Sequence, residues 1–208
     1  MPTAEPTPTA TPGRTRTPRP TPVPRADIEI VEFGFTRVKD NASFAVIVRN
    51  PNPATYVADS VPLQFTFYDD DGPLSTEEGY VSYVLPGQVT ATSGTAYEVG
   101  RPTRMEVRIG SVRWTEVDFA PGRFEISDVR TRDQQYGGHR TTGTITSEFQ
   151  SRQEFIRIVA VYRNAAGEVI GGDFTFLDFL DPESEAVFEI STFEDLPGLD
   201  ATEIYWQL

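Results

Sequence analysis

The sequence contains no cysteine, and His139 is its only histidine. The absence of cysteine excludes disulfides, thiolate metal sites and thiol nucleophiles from this chain. A hydrolase of the Ser–His type needs a positioned base, and a lone histidine in the glycine-containing segment Gln134–Arg140 is typical of an exposed turn. We therefore expect His139 to be a solvent-exposed turn residue, and we expect no catalytic residue and no enzyme activity.

Long apolar runs are also absent, because no stretch approaches the roughly 20 residues that a membrane-spanning helix needs. Lysine is nearly absent as well: Lys39 is the only lysine among 18 basic residues, and the net charge is −13. The first 25 residues hold four arginines and one glutamate, so the remainder carries −16. Such an acidic body repels phosphate backbones and gains nothing from anionic lipid. We expect no nucleic-acid partner and no membrane contact except through an anchor upstream of the chain.

The first 26 residues consist almost entirely of Pro, Thr, Ala and Arg. This composition offers too little apolar surface to offset chain entropy by packing. Alternating Pro and Thr favour extended polyproline II, which acts as a semi-rigid spacer. We expect residues 1–26 to form a disordered stalk. A stalk of this kind typically follows an export signal or lipid anchor, which predicts an extracytoplasmic, cell-surface or secreted protein.

From Asp27 onward, short runs rich in Val, Ile, Phe, Tyr and Thr alternate with Gly, Pro, Asn and Asp. Apolar and polar residues alternate with period two in these runs, which indicates half-buried strands, and no amphipathic helix is found. The clearest strands are predicted at Ser43–Asn50, Pro62–Asp69, Gly79–Leu85 and Met105–Trp114. The predicted fold class is all-β, built from antiparallel sandwiches.

The same order of predicted strands and turns occurs twice along the chain. Tyr68 and Tyr162, and likewise Trp114 and Trp206, lie about 95 residues apart, a constant offset that indicates an internal repeat. We therefore predict two tandem immunoglobulin-like sandwiches, at residues 27–119 and 120–208. One larger sandwich with accidental periodicity is the alternative.

Each predicted sandwich has its own predicted core. The cores are built on Val46, Val48, Phe65 and Phe67 in the first copy and on Ile145, Ile158, Ala160 and Phe188 in the second. With separate cores, each half is expected to fold alone. Tyr68 and Tyr162 are expected to face opposite the core side of their strand, or to lie at its edge with a wet hydroxyl. The run Phe174–Phe179 is apolar on both faces and predicts a strand covered on both sides.

Two short segments carry a resemblance to known families. Phe65–Gly72, FTFYDDDG, resembles the core of the FxLYD domain, with Phe67 in the Leu position, and Val48–Pro53, VRNPNP, is similar to a strand end of the water-stress (type-2 late-embryogenesis-abundant) domain. Both are related sandwiches. The resemblance implies a bacterial extracytoplasmic immunoglobulin-like module without catalytic residues. The second copy keeps the Tyr and the turn in Val159–Gly171 but lacks the Phe, the Asp and NPNP.

Acidic clusters are the remaining candidates for chemistry. Asp69, Asp70 and Asp71 with Glu77 and Glu78 supply hard oxygen ligands of the kind that calcium takes, but consecutive acids lack the alternating spacing of calcium loops. A second acidic corner consists of Asp178, Asp181, Glu183 and Glu185. We expect solvated turns at both places, and neither a metal site nor a cofactor.

The predicted function is a non-enzymatic, surface-tethered spacer or protein-interaction module of the bacterial cell envelope, with an envelope protein as partner. A carbohydrate- or wall-binding adhesin and a stress-protective domain are the alternatives. Exposed edge strands or a groove between the copies would favour a protein partner. A flat, exposed row of aromatic side chains would favour sugar. We expect Trp114 and Trp206 to pack as core or interdomain anchors, and a sugar-stacking platform is the second interpretation of these residues.

Overall fold

The computed structural model describes residues 25–53, 55–118, 122–193 and 195–208. The predicted stalk lies outside the described residues, apart from Arg25 and Ala26. Within the described ranges all regular elements are β-strands, and we find no helix there that is long and apolar enough to cross a bilayer. The strands are β1 (Glu29–Val38), β2 (Asn41–Arg49), β3 (Tyr56–Tyr68), β4 (Pro73–Val81), β5 (Val89–Ala96), β6 (Arg104–Ile109), β7 (Arg113–Glu116), β8 (Phe124–Asp133), β9 (His139–Ser147), β10 (Gln153–Asn164), β11 (Val169–Leu180), β12 (Glu185–Thr192) and β13 (Leu199–Gln207).

The first sandwich combines the sheet β1-β2-β5 with a sheet centred on β3. In the second sheet, β4 lies on one side of β3, while β6 and β7 share the other side. The prediction of one continuous strand over Met105–Trp114 is therefore wrong, because the segment is interrupted at Gly110 and forms two strands, β6 and β7. The break lies opposite Pro62, which has no N–H to continue the ladder, and the Gly110 N–H donates to the Pro62 carbonyl at 2.9 Å.

The second sandwich repeats this connectivity in six strands. Its sheets are β12-β9-β8 and β11-β10-β13, all antiparallel. β8, β9 and β12 correspond to β1, β2 and β5, and β10 and β11 correspond to β3 and β4. β13 takes the place of both β6 and β7. The fold is thus two tandem β-sandwiches, as the internal repeat predicts.

Each sandwich encloses an apolar core between its two sheets. Val46, Val48, Phe65 and Phe67 all lie in the first core. Ile145, Ile158, Ala160 and Phe188 all lie in the second. These eight predicted core residues are at most 2% exposed, which confirms them.

A third apolar layer lies between the two sandwiches. The sheet β1-β2-β5 packs face to face on β11-β10-β13. The buried residues of this interface are Ala45, Ile47, Ala91, Val159, Val161 and Val169. β2 and β10 are therefore covered on both faces, whereas the alternation in Ser43–Asn50 predicts a half-buried β2.

Glycines let the two sheets approach closely at this interface. A Cβ on Gly34 of β1 would lie 1.9 Å from the Val169 carbonyl oxygen. A Cβ on Gly172 of β11 would lie 2.7 Å from the Cβ of Ser93 on β5, which belongs to the facing sheet. Real side chains do not occupy such positions, so these glycines are required for the observed distance between the sheets.

The prediction of a solvent-exposed hydroxyl is wrong for Tyr162. It is fully buried in the second core, and its hydroxyl lies 3.4 Å from the Thr141 Oγ1. Burial raises the pKa of Tyr162 to about 12. Tyr68 is half-buried, and its hydroxyl donates to Glu106 at 3.1 Å. The difference arises because Tyr162 lies on the face of β10 that points into the second core, with Ile158, while Tyr68 follows the core residue Phe67 and so points to the opposite face of β3.

Candidate functional sites at the sandwich junction

The last strand fastens the second sandwich to the first. The Trp206 carbonyl accepts hydrogen bonds from the Thr90 hydroxyl at 2.8 Å and from the Gln88 amide at 3.1 Å. The Gln207 side chain, which is 1% exposed, donates to the Ala91 carbonyl and accepts from the Ser82 N–H. These bonds satisfy buried polar groups across the interface, so they fix the relative position of the two sandwiches.

A charged cluster closes one end of the same interface. Arg163 of β10 donates to Glu32 of the first sandwich at 2.9 Å and to Glu203 of β13 at 3.1 Å. These bonds, led by the one to Glu203, raise the pKa of Arg163 above its usual value. Burial acts to raise the pKa of Glu203, but hydrogen bonds from Arg163 and Tyr205 outweigh burial and lower it. Burial and its bond to Glu203 raise the pKa of Tyr205.

The main candidate site is a groove between the sandwiches, which we call the junction groove. Its volume is about 790 Å³. Its described lining residues are Val57, Asp59, Tyr83, Leu85, Thr115, Val117, Gly122, Phe149, Gln150, Ser151, Gln153, Glu154 and Leu208. β3, β7 and the segment after β4 supply one wall, and the segment from Phe149 to Glu154 supplies the other. The groove exists only because both sandwiches are present.

The junction groove has an apolar floor and a polar rim. Val57, Leu85 and Phe149 of the floor belong to the apolar cluster of the second core. On the rim, Asp59 pairs with Arg113, and the Glu154 carboxylate lies 3.6 Å from the Arg152 Nε. Neither Lys nor Arg is found among the described lining residues. This arrangement suits an apolar occupant that also carries hydrogen-bond donors or positive charge.

The NPNP motif holds the first described residues of the chain against the first sandwich. Asn50 is 0% exposed and Asn52 is 2% exposed. The Asn52 Oδ1 accepts from the Ala26 N–H at 2.6 Å, and its Nδ2 donates to the Ala26 carbonyl at 2.8 Å. The Asn50 Nδ2 donates to the carbonyls of Tyr56 at 2.8 Å and Val84 at 3.0 Å. The sequence predicted only a strand end here, because nothing in the motif indicates which distant backbone its amides reach.

The aromatic run on β11 is largely exposed, which corrects the prediction of a strand covered on both sides. Phe174, Phe176 and Phe179 are 37%, 56% and 47% exposed. The interface covers β11 only as far as Gly172, and these three rings lie beyond it. Leu177 alone turns into the second core.

These exposed rings do not form a flat platform. Phe174 and Phe176 meet edge to face, with centroids 5.5 Å apart and planes at 81°. The Arg157 guanidinium lies 3.8 Å from the Phe174 centroid, and the Arg152 guanidinium lies 3.6 Å from that of Phe179. A pyranose ring stacks on an open aromatic face, and in both pairs arginine covers one face.

The two tryptophans are packed, as expected of anchors. Trp114 packs against the first core, and the Arg25 guanidinium lies 4.8 Å from its ring. Trp206 packs against the second core, edge to face with Phe124 at 5.0 Å.

His139 is buried, so the prediction of an exposed turn residue is wrong. It is 7% exposed. Its Nε2 accepts from the Leu196 N–H at 3.1 Å, so the proton is on Nδ1, which lies 3.0 Å from the Asp133 carboxylate. Both ring nitrogens thus join β9 to the segments on either side, and the ring has a structural place in the fold.

The acidic segments form turns. At the first, the Asp69 carboxylate accepts from the N–H groups of Asp71 at 2.9 Å and Gly72 at 3.0 Å. At the second, the Asp181 carbonyl accepts from the Ser184 hydroxyl at 2.7 Å. In the part of the chain that the structure describes, no three His, Asp or Glu side chains gather to hold a metal ion.

Comparison with known proteins gives no family. No family model matches this sequence, and no curated protein matches it. Among solved structures, it is similar to the N-terminal CBM22-1-CBM22-2 tandem domain of Xyn10C from Paenibacillus barcinonensis, at 8% identity and a TM-score of 0.18. That alignment covers 87% of this chain and 82% of the other.

Proposed function

We propose that this chain is a non-catalytic, extracytoplasmic protein-binding module. In this proposal the N-terminal stalk tethers it, and the junction groove takes an extended, basic and apolar segment of a protein partner. The observation that carries the proposal is the groove itself, because it is floored by apolar side chains and is built jointly by two sandwiches. Its volume of about 790 Å³ lies within the range of binding sites, roughly 300–1,000 Å³.

Rigidity supports the proposal. The buried layer around Ile47 and Val159, the glycine contacts and the bonds of Gln207 hold both walls of the groove in one arrangement. A site fixed before binding loses less conformational freedom when its partner arrives. A mere spacer has no need for a groove shared between its units.

Charge favours a basic partner. Asp59 and Glu154 in the described lining of the groove each lie near an arginine, so the attraction comes from the body as a whole, whose residues after the first 25 carry a net charge of −16. Such a field attracts a positively charged segment and raises its rate of association. The covered faces of Phe174 and Phe179 favour a protein partner over sugar.

A phage-displayed library of linear peptides tests the proposal. Panning against the whole chain is expected to enrich peptides that combine apolar residues with Lys or Arg. The Thr115→Arg variant adds a bulky cation inside the groove at an exposed position. We expect it to weaken binding of those peptides at least about tenfold, which corresponds to 1.4 kcal/mol.

The matched control is Thr103→Arg, the same change at an exposed threonine outside the groove. It is expected to bind the enriched peptides as the unchanged chain does. The proposal fails if panning enriches no peptide, or if the enriched peptides bind both variants equally.

A further inference from the structure

Arg157 of β10 is a partly buried guanidinium without a carboxylate partner. Its Nη2 donates to the Ser93 backbone carbonyl at 3.1 Å, and its plane stacks on Phe174. Among the residues that the structure describes, no carboxylate lies within ion-pair distance of Arg157. Burial lowers the pKa of Arg157, which means that the site destabilises its positive charge.

Arg157 lines a small cavity that is separate from the junction groove. Its volume is about 190 Å³. Phe44 and Phe65 supply aromatic surface from the first core, Tyr80 comes from β4, and Thr92 and Ser93 come from β5. We call this cavity the Arg157 pocket. All of its described walls belong to the first sandwich except Arg157, so docking of the second sandwich completes it.

Two polar atoms at the Arg157 pocket are buried and have no hydrogen-bond partner. They are the Ser93 Oγ and the Arg157 Nε. Ser93 is 5% exposed. Buried polar groups in folded proteins nearly always have a partner, and an unpaired group of this kind signals a missing water or ligand. Here a hydroxyl and a cationic N–H are unsatisfied together, beside a cavity that both residues line.

We propose that the Arg157 pocket binds a small carboxylate ligand. A guanidinium matches a carboxylate in charge and geometry, and the Ser93 hydroxyl supplies a further donor. The aromatic walls suit an apolar or ring-shaped body attached to the carboxylate. The ligand's negative charge supplies the ion pair that Arg157 lacks, because Asp173, a carboxylate that acts on the Arg157 charge, lies beyond ion-pair distance.

The surroundings favour a single negative charge. Glu78 lines the rim of the pocket, and the body of the protein is strongly acidic. Both repel a second charge, so a phosphate dianion is disfavoured relative to a monoanionic carboxylate. The volume of about 190 Å³ limits the ligand to a small organic acid or one acidic sugar unit.

Amide NMR titration of the whole chain tests this inference, with benzoate as the probe. We expect saturable shifts at the amides of Gly79, Thr92 and Ser93. Benzyl alcohol, which has the ring without the charge, is expected to produce no such shifts, and inorganic phosphate is expected to bind at least tenfold more weakly. Glucuronate is run in parallel, because its binding in place of benzoate, or alongside it, identifies an acidic sugar as a source of the carboxylate.

Two variants and a control make the test specific. Arg157→Gln is expected to abolish the benzoate shifts while the amide of Gly172 in the interface keeps its position. Ser93→Ala removes a hydroxyl without a partner, so we expect several-fold weaker binding and no loss of stability. Arg101→Gln, at an exposed arginine, is expected to bind benzoate as the unchanged chain does.

Any of three results with the organic probes and variants would overturn the inference, and a fourth result concerns phosphate. They are the absence of saturable shifts with both benzoate and glucuronate, equal shifts with benzyl alcohol, and unchanged binding in both pocket variants. Phosphate binding as tight as benzoate would also overturn it, because the pocket would then be a site for adventitious anions only.

Discussion

Arg157 and Arg163 lie toward opposite ends of the interdomain face of β10, and only Arg163 is neutralised. Arg163 bonds to two carboxylates, Glu32 and Glu203, one from each sandwich. Arg157 bonds to the Ser93 backbone carbonyl and stacks on Phe174. The interface therefore contains one guanidinium that is paired with carboxylates of both sandwiches and one, Arg157, that has no carboxylate within ion-pair distance in the described structure and feels Asp173 only from farther away.

This contrast predicts that replacing Arg163 lowers the free energy of unfolding more than replacing Arg157. Arg163→Met leaves two neighbouring carboxylates without their cation, and we expect it to lower the free energy of unfolding by about 1–3 kcal/mol. Arg157→Met keeps an apolar contact with Phe174 and removes an unpaired charge, so we expect a change below about 1 kcal/mol. Urea unfolding measures both, with Arg101→Met as an exposed control. A larger loss at Arg157 than at Arg163 would contradict this interpretation.

Gly34→Ala tests the close approach of the sheets. Its Cβ would collide with the Val169 carbonyl oxygen, and overpacking of this kind costs about 1–3 kcal/mol. We expect faster hydrogen exchange at the amides of Val169 and Gly172, where β11 lies against the first sandwich. Gly110→Ala is the control, because its nearest neighbour is the Pro62 Cβ at 3.2 Å. Equal exchange in both variants would show that the interface tolerates a Cβ at position 34.

Phe65→Ala tests whether the sandwiches unfold together. Phe65 is 2% exposed, so its truncation should lower the free energy of unfolding by about 3–5 kcal/mol. Because β2 and β10 are each packed on both faces, we expect one thermal transition for the whole body, shifted to lower temperature. Phe193→Ala, at a ring that is 89% exposed, should change stability by no more than about 0.5 kcal/mol. Two separate transitions in calorimetry would instead favour independently folding halves, which the sequence repeat predicts.

The raised pKa of Tyr162 predicts that the free energy of unfolding falls at alkaline pH. Its pKa is raised from 10.0 to about 12 in the folded chain, so the folded state holds a proton that the unfolded state has already lost. The stabilisation is complete below the unfolded pKa and is lost as the pH rises from about 10 to 12, by about 2–3 kcal/mol. Tyr162→Phe should flatten this decline, while Tyr97→Phe, at a residue that is 71% exposed, should not. Denaturant unfolding across this pH range checks the prediction, which fails if the decline is the same in all three proteins.

Asn52→Ala tests how firmly Ala26 is held against the first sandwich. The change removes both bonds to Ala26 and a bond to the Asn50 carboxamide, and we expect a loss of about 1–3 kcal/mol because buried partners become unsatisfied. The Ala26 amide should lose its protection from hydrogen exchange, while the Val46 amide keeps it. Asn41→Ala, which removes a bond to the exposed Glu98 amide, should leave Ala26 protected.

Local patterns predicted the sandwiches well. Alternation marks a strand wherever one face is buried, which is why β2 and β3 lie near the predicted Ser43–Asn50 and Pro62–Asp69, whereas the predicted Gly79–Leu85 overlaps β4 only over 79–81. The predicted core side chains are buried because alternate positions of a strand point to the same side. The repeat also predicted that one connectivity occurs twice.

The junction could not be predicted in the same way. Ala45 and Ile47 on the second face of β2 follow the pattern of an ordinary outer face, and only the partner sheet shows that this face is buried. A signal was present in the consecutive glycines at 171 and 172, since glycine inside a strand often marks the close approach of another backbone. Both cavities depend on side chains from the two sandwiches, so neither has a local sequence pattern.

Under the proposed tethering, the bonds of Asn50 and Asn52 define where mechanical load enters the described part of the protein. Asn52 holds Ala26, and Asn50 holds the backbone carbonyls of Tyr56 and Val84. These two carbonyls immediately precede Val57 and Leu85, which form the floor of the junction groove. Tension between a tethered N-terminal segment and a partner in that groove would therefore act on the side-chain hydrogen bonds of these two asparagines, at one corner of the first sandwich.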